Sequence, residues 1–296
     1  MTRKNNQDIL AFFATGKLGR IVMRSLLEKD YNVTIFSRNN NPYELSILKN
    51  LGANIYLSNF DDINKLDNLI KENCNIYIGN IYELEICKKI IELIKKSEKK
   101  INKIIFISGS NPKTISAGFQ ILEKFEEHII NELNKSIIIK PTMIFGLNDD
   151  KNIQKICKFL KRFPIFPIIG NGKTLYQPIH YLDLKNTIIN IIKKENITVK
   201  KIYIGGKDTL EFQKIIKIIK QKINSKSLII KFPQKLIYLF EKIITVVLRI
   251  NLPLEKIASS HINRIVDNSD AIKSFDHSPK SFDERLEESL IKYYDI

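Results

Sequence analysis

No tryptophan occurs anywhere in the chain, and cysteine is scarce. Cys74, Cys87 and Cys157 have neither metal-ligand spacing nor the even count of a disulfide framework, so reduced thiols in a reducing compartment are expected and no metal is assigned. Long apolar runs are missing as well. The stretch Ile243–Leu248 falls far short of the roughly 20 residues that a membrane-spanning helix needs. Met1–Asp8 is polar and leads straight into a strand-like run, so no signal peptide is read there and the cytoplasm is the expected compartment. There is no internal repeat and no Gly/Ser linker, which points to two lobes sharing one interwoven chain.

Acidic residues are outnumbered by basic ones, giving a formal net charge of +16. Such an excess invites a nucleic-acid reading. The lysines, however, are scattered over most predicted helices, and no Lys/Arg run is interleaved with aromatics for stacking bases. A solvated basic surface is expected, with no nucleic-acid partner.

What is present is a regular alternation. Apolar runs Asp8–Phe13, Asn32–Ser37, Ala53–Leu57, Asn75–Ile78, Lys103–Ser108 and Ser136–Lys140 read as strands. Between them lie helical patterns at Lys17–Lys29, Pro42–Leu51, Ile63–Glu72, Tyr82–Ser97 and Ile115–Leu133. Strands of four to eight residues, apolar on both faces and separated by amphipathic helices, are what a parallel sheet covered on both sides requires. Beyond Pro141 the rhythm changes. Helices are predicted over Asp150–Arg162, Tyr181–Lys193, Leu210–Ile223, Lys235–Ile250 and Leu254–Val266, with short strands at Leu175–Ile179 and Lys201–Ile204. Two short pieces follow at Asp270–Phe275 and Phe282–Tyr293. The expected architecture is a doubly wound α/β Rossmann-type parallel sheet with a smaller, mainly helical second lobe. Residues 1–146, continued by 175–205, would form the Rossmann-type domain; residues 147–174 and 206–296 would form the second lobe.

The first strand runs into Phe13-Ala14-Thr15-Gly16-Lys17-Leu18-Gly19 and then a helix. A dinucleotide site asks for this order: strand, glycine turn, and helix N–H groups facing the pyrophosphate. Ala14 to Gly19 are therefore the candidate cofactor loop, and the short-chain dehydrogenase family, whose glycine loop this stretch resembles, has a turn-easing glycine where Phe13 stands. Arg38, after the second strand, suits the extra phosphate of NADP(H), the alternative being an ordinary loop arginine. Asn59, after the third strand, can hydrogen-bond an adenine ring.

Ala14-Thr15-Gly16-Lys17-Leu18-Gly19, Lys140-Pro141-Thr142-Met143-Ile144-Phe145-Gly146, and Gln177-Pro178-Ile179-His180-Tyr181-Leu182-Asp183 together resemble the extended short-chain dehydrogenase/reductase family of nucleotide-sugar epimerases and dehydratases. The likeness covers nearly the whole chain. It implies that Ser108 assists hydride chemistry, that Pro141 and Ile144 border a nicotinamide, and that Asn152, Gln177 and His180 lie near a nucleotide-sugar cleft. Duller alternatives stand beside these: Pro141 ends a strand, Asn152 caps a helix, and His180 is a satisfied structural histidine. The family's Tyr-x-x-x-Lys pair is missing, since Phe119 and Glu123 occupy those places. Tyr176 replaces the arginine that many members place before Gln-Pro.

Two functions follow. The first is an NADP(H)-linked epimerase, dehydratase or reductase, or a descendant of one, acting on a nucleotide-sugar-like small molecule. The second is a non-catalytic NADP(H)-binding scaffold or sensor, like the accessory subunits of respiratory complexes. Lys235–Ile250, apolar with basic flanks, reads as lobe core, with peripheral membrane contact as the alternative.

Overall fold

The computed structural model describes residues 7–294 except 39–41, 59, 82, 98–99, 111–116, 149, 151, 234–260 and 293. Seven strands form one parallel sheet: β1 (Asp8–Phe12), β2 (Asn32–Ser37), β3 (Asn54–Leu57), β4 (Asn75–Ile78), β5 (Lys103–Ile107), β6 (Ser136–Pro141) and β11 (Lys201–Ile204). Their spatial order is β11-β6-β5-β4-β1-β2-β3. Period-two alternation sends side chains to both faces. Ile9, Ala11, Ile105 and Ile107 join one buried cluster with α1 (Lys17–Leu27) and α7 (Tyr181–Lys193). Leu10, Phe12, Ile104 and Phe106 join another with α3 (Ile63–Glu72), α4 (Leu84–Ser97) and α5 (Ala117–Glu132). Helices on both faces leave each central strand with no polar side, which is why these runs read as continuously apolar. α2 (Pro42–Asn50) joins β2 to β3.

A third cluster gathers Phe145, Cys157, Ile215, Ile219, Phe282 and Leu286. These come from β7 (Ile144–Phe145), α6 (Ile153–Arg162), α8 (Phe212–Lys222) and α10 (Phe282–Lys292). The predicted strand Leu175–Ile179 is divided in two. β9 (Leu175–Tyr176) pairs antiparallel with β12 (Leu210–Glu211), and β10 (Ile179–His180) pairs parallel with β7. Gln177-Pro178 separates them, the Gln177 carbonyl accepting from the Thr142 hydroxyl at 2.5 Å. The apolar segment punctuated by Pro164 and Pro167 is a strand, β8 (Ile165–Ile169). It pairs parallel with β13 (Leu228–Phe232), which the sequence pattern did not signal. Proline is tolerated there because the ribbon has only two strands and β8 has a partner on one side. Of the predicted helix Leu254–Val266, residues 262–266 are not helical: Arg264 forms a parallel bridge with Tyr176. The predicted helix Lys235–Ile250 lies outside the described residues, as does Asn59. A short helix α9 (Ser269–Phe275) returns the chain to the first cluster.

Candidate functional site

The sheet order reverses between β1 and β4, so the loops leaving these neighbours part to opposite faces and open a crevice at their carboxyl ends. That crevice is a cleft of about 820 Å³ lined by Phe13, Thr15, Gly16, Lys17, Ser37, Arg38, Phe60, Gly79 and Glu83, among others. Gly16 is the N-cap of α1 in an extended conformation, and no side chain caps the helix there. A methyl group added to Gly16 would meet open space, whereas one added to Gly19 would lie 2.5 Å from the Ala14 carbonyl oxygen. Gly19 thus lets the helix press against the loop, and Gly16 leaves room in front of its N–H groups. Phe13 takes the left-handed conformation, φ 53°, that a first glycine would hold. Its ring stacks on Phe60, centroids 5.1 Å apart and planes at 19°. Phe13 thus holds a turn that glycine adopts more readily, and the open space at Gly16 before the uncapped helix start fits a ligand's phosphates. Ala14 is buried, Leu18 packs against the first cluster, and the Lys17 ammonium donates to the Asn148 carbonyl.

Arg38 reaches the cleft lip, ion-paired to Glu83 with its guanidinium 5.9 Å from the Phe60 ring centroid. A phosphate arriving at Arg38 must compete with the Glu83 carboxylate.

Ser108, just past β5, donates its hydroxyl to Glu126 Oε1 at 2.5 Å. Glu126 is fully buried on α5 and takes two hydrogen bonds of 2.6 Å from Lys140 of β6, while Lys201 approaches to 3.7 Å. Phe119 falls in the first helical turn of α5, seven residues before Glu126; its side chain lies outside the described residues. A serine hydroxyl committed to a carboxylate cannot at the same time donate to a substrate oxygen.

The remaining candidates sit away from that cleft. Pro141 ends β6 in register with Ile204, its carbonyl accepting from the Ser110 N–H. Ile144 is half-buried in β7. The Asn152 side chain donates to the Ile144 carbonyl at 3.0 Å and does not cap α6. Asp150 does that work, accepting from the N–H groups of Asn152 and Gln154. Gln177 donates to the Gly206 carbonyl and accepts from the Val266 N–H, both at 2.9 Å. His180 is buried. Its Nδ1 caps α7 by accepting from the Leu182 N–H, and its Nε2 meets the Ser289 hydroxyl at 3.2 Å. Burial, with Arg285 nearby, pushes its pKa down to about 3. Tyr176 lies beneath the Arg264 guanidinium, 5.3 Å from the ring centroid, and its hydroxyl accepts from Arg264 at 3.3 Å.

The model of the NmrA-like family matches residues 5–273. The chain belongs to that family. NADH dehydrogenase (ubiquinone) 1 alpha subcomplex subunit 9, mitochondrial, of Arabidopsis thaliana is 25% identical over 242 residues, covering 75% of this chain. The match spans 59% of that relative's own length. Among solved structures, UDP-glucuronic acid 4-epimerase of Bacillus cereus in complex with NAD superposes with a TM-score of 0.69 at 16% identity, covering 97% of each chain. UDP-glucose 4-epimerase of Thermotoga maritima, solved with UDP-glucose, gives a TM-score of 0.70 at 14% identity, covering 96% of this chain and 97% of its own. At those identities the likeness is one of fold, and the extended short-chain dehydrogenase architecture expected from the motifs is the one present.

This NmrA-like chain also holds groups that the sequence reading did not single out. Glu126 is one of these. The signal that could have found it is its spacing: seven residues from Phe119, it returns to the same helix face. Asp183, in the Gln-Pro-x-His motif, is buried against Arg285, whose Nε donates at 3.0 Å. The motif residues Gln177, His180 and Asp183 therefore bond to Val266, Ser289 and Arg285, and the last two join β10 and α7 to α10.

Proposed function

We propose that this protein binds a nicotinamide dinucleotide in the β1–β4 cleft without performing hydride chemistry on it. The single observation carrying this reading is Ser108: its hydroxyl is held by the buried Glu126–Lys140 pair, and no tyrosine stands on α5 to act as acid or base. The cleft itself has what a dinucleotide needs. The uncapped start of α1 would hold the pyrophosphate, with Gly16 giving it room. Arg38 would read a 2′-phosphate by exchanging Glu83 for it, which favours NADP(H) over NAD(H). A bound nicotinamide would supply redox chemistry only where a proton acceptor faced its substrate. Gln177 and His180, with both polar ends engaged, serve the fold, and the Arabidopsis subunit offers a precedent for such a chain as part of a larger assembly. The reading of the chain as a nucleotide-sugar enzyme has the epimerase-like fold in its favour, but the sequence lacks the Tyr-x-x-x-Lys pair, with Phe119 and Glu123 in those places.

Calorimetric titration of the cofactor-stripped protein tests this. NADPH is expected to bind more tightly than NADH. Arg38→Ala should weaken NADPH by about 10- to 100-fold, as for loss of a charged hydrogen bond, while leaving NADH little changed. Glu83→Gln should tighten NADPH. Absence of binding by either nucleotide would remove the proposal, and epimerisation of a UDP-sugar by the purified protein would replace it with the enzymatic one.

A further inference from the structure

The two-stranded ribbon β8–β13 carries apolar residues on both faces, with Lys231, opposite Ile168, its one charged residue. In parallel register Phe166 lies beside Ile229, and both pack into the third cluster. The alternate residues pair as Ile165 with Leu228, Pro167 with Ile230 and Ile169 with Phe232, and this second face looks outward. Leu228 is 62% exposed, Ile165 43%, and Ile230 and Phe232 nearly 40%. Phe163, just before the ribbon, is also exposed. A ribbon with one face in water ordinarily carries polar residues there.

Charge decides what covers it. Residues 151–173 and 212–233, which contain the ribbon and the helices leading into it, hold twelve Lys or Arg and no Asp or Glu. These two stretches carry most of the chain's +16 excess. Lys161, Arg162, Lys226 and Lys231 are exposed at the ribbon's margins, with Arg162 5.6 Å from the Phe163 ring centroid. The acids Asp283 and Glu287 of α10 are taken up by Lys222 of α8, and an apolar face with exposed cations at its margins matches an anionic lipid surface, where apolar insertion and attraction to headgroups act together. We propose that the outer face of β8–β13 docks peripherally on anionic bilayers. No helix among the described residues is long and apolar enough to cross one.

The absence of tryptophan supplies a clean probe. Phe232→Trp places a single indole on the ribbon face, and its emission is expected to shift to the blue with vesicles of phosphatidylcholine and phosphatidylglycerol but not with phosphatidylcholine alone. In flotation assays the full chain should bind the anionic vesicles at low salt. Lys231→Ala should reduce partitioning about fivefold, from roughly 1 kcal/mol per basic residue near the surface. Leu228→Asn with Ile230→Asn should abolish it, while circular dichroism and NADPH binding stay as in the unaltered protein. Failure to float, or flotation indifferent to the ribbon variants, overturns the proposal. So does a dimer that these variants dissociate with no vesicle binding, which would assign the face to a second copy of the chain.

Discussion

Replacing Lys140 by methionine will destabilise the folded chain by about 3–5 kcal/mol, the range found when a buried ion pair loses one partner. Glu126 has no access to solvent, and the Lys140 side chain is only 10% exposed. Without Lys140, the carboxylate keeps the Ser108 hydroxyl and a distant Lys201 at 3.7 Å, which places the loss toward the lower end of that range. The measurement is urea unfolding, read as a lower midpoint at unchanged slope. The double variant Glu126→Leu with Lys140→Met should recover most of the loss, because a buried pair replaced by apolar groups of similar volume is often neutral. A single-variant loss below about 1 kcal/mol, the level of a surface pair, would contradict the burial argument. The same pair sets the chemistry. In Glu126→Gln the serine hydroxyl faces a neutral amide, but α5 still offers no tyrosine, so no hydride transfer should appear.

Acid will weaken the protein well before its carboxylates titrate. His180 stays neutral in the fold down to about pH 3, whereas an unfolded histidine takes up its proton near 6.5. The folded pKa lies below the unfolded one, so the unfolded state binds more protons throughout that window. Stability from this group is complete above 6.5 and is lost as pH falls, at about 1.4 kcal/mol per pH unit. His277 is lowered in the same direction, chiefly by burial, and adds to the slope. Glu288, drawn down to about 2 chiefly by its hydrogen bond from Lys280, contributes only below the ordinary carboxylate value of 4.5. His180→Asn keeps a side chain able to cap α7 and removes the titration, so its unfolding midpoint should vary less between pH 6.5 and 4.5. An unchanged pH profile in that variant would show that His180 titrates normally.

Much of the fold could be read from residue patterning, for a physical reason. Strands such as Asn75–Ile78 and Lys103–Ile107 are buried on both faces, so each residue carries the signal, and α3 and α7 begin and end where their apolar period does. The second lobe was harder to read because its strands are pairs, not a sheet. Pro167 sits in β8 where a central strand would forbid it, and Leu228–Phe232 is a short run between two predicted helices. Likewise Gln177-Pro178 interrupts a run whose ends belong to different ribbons. At the candidate site, the glycine loop was visible because its spacing is local. That Phe13 adopts the glycine conformation and leans on Phe60 depends on a residue 47 positions away. Glu126, Lys140 and Ser108 come from three elements, and no linear pattern joins them. Of the Gln-Pro-x-His residues, the sequence showed the motif but not the partners Ser289 and Arg285, more than a hundred positions further on.

Those partners carry a consequence for synthesis. Asp183 waits for Arg285, His180 for Ser289, and the Gly146 N–H for the Tyr294 hydroxyl, across 102, 109 and 148 residues. On the ribosome the sheet can assemble strand by strand, since each βα unit closes on its neighbour. These bonds wait until α10 and Tyr294 have emerged, and contacts so distant in sequence form slowly. A nascent chain arrested before Ser281 would thus hold a nearly finished sheet beside a half-open lobe in which Phe145 has lost the Phe282 ring that packs on it, a natural client for chaperones.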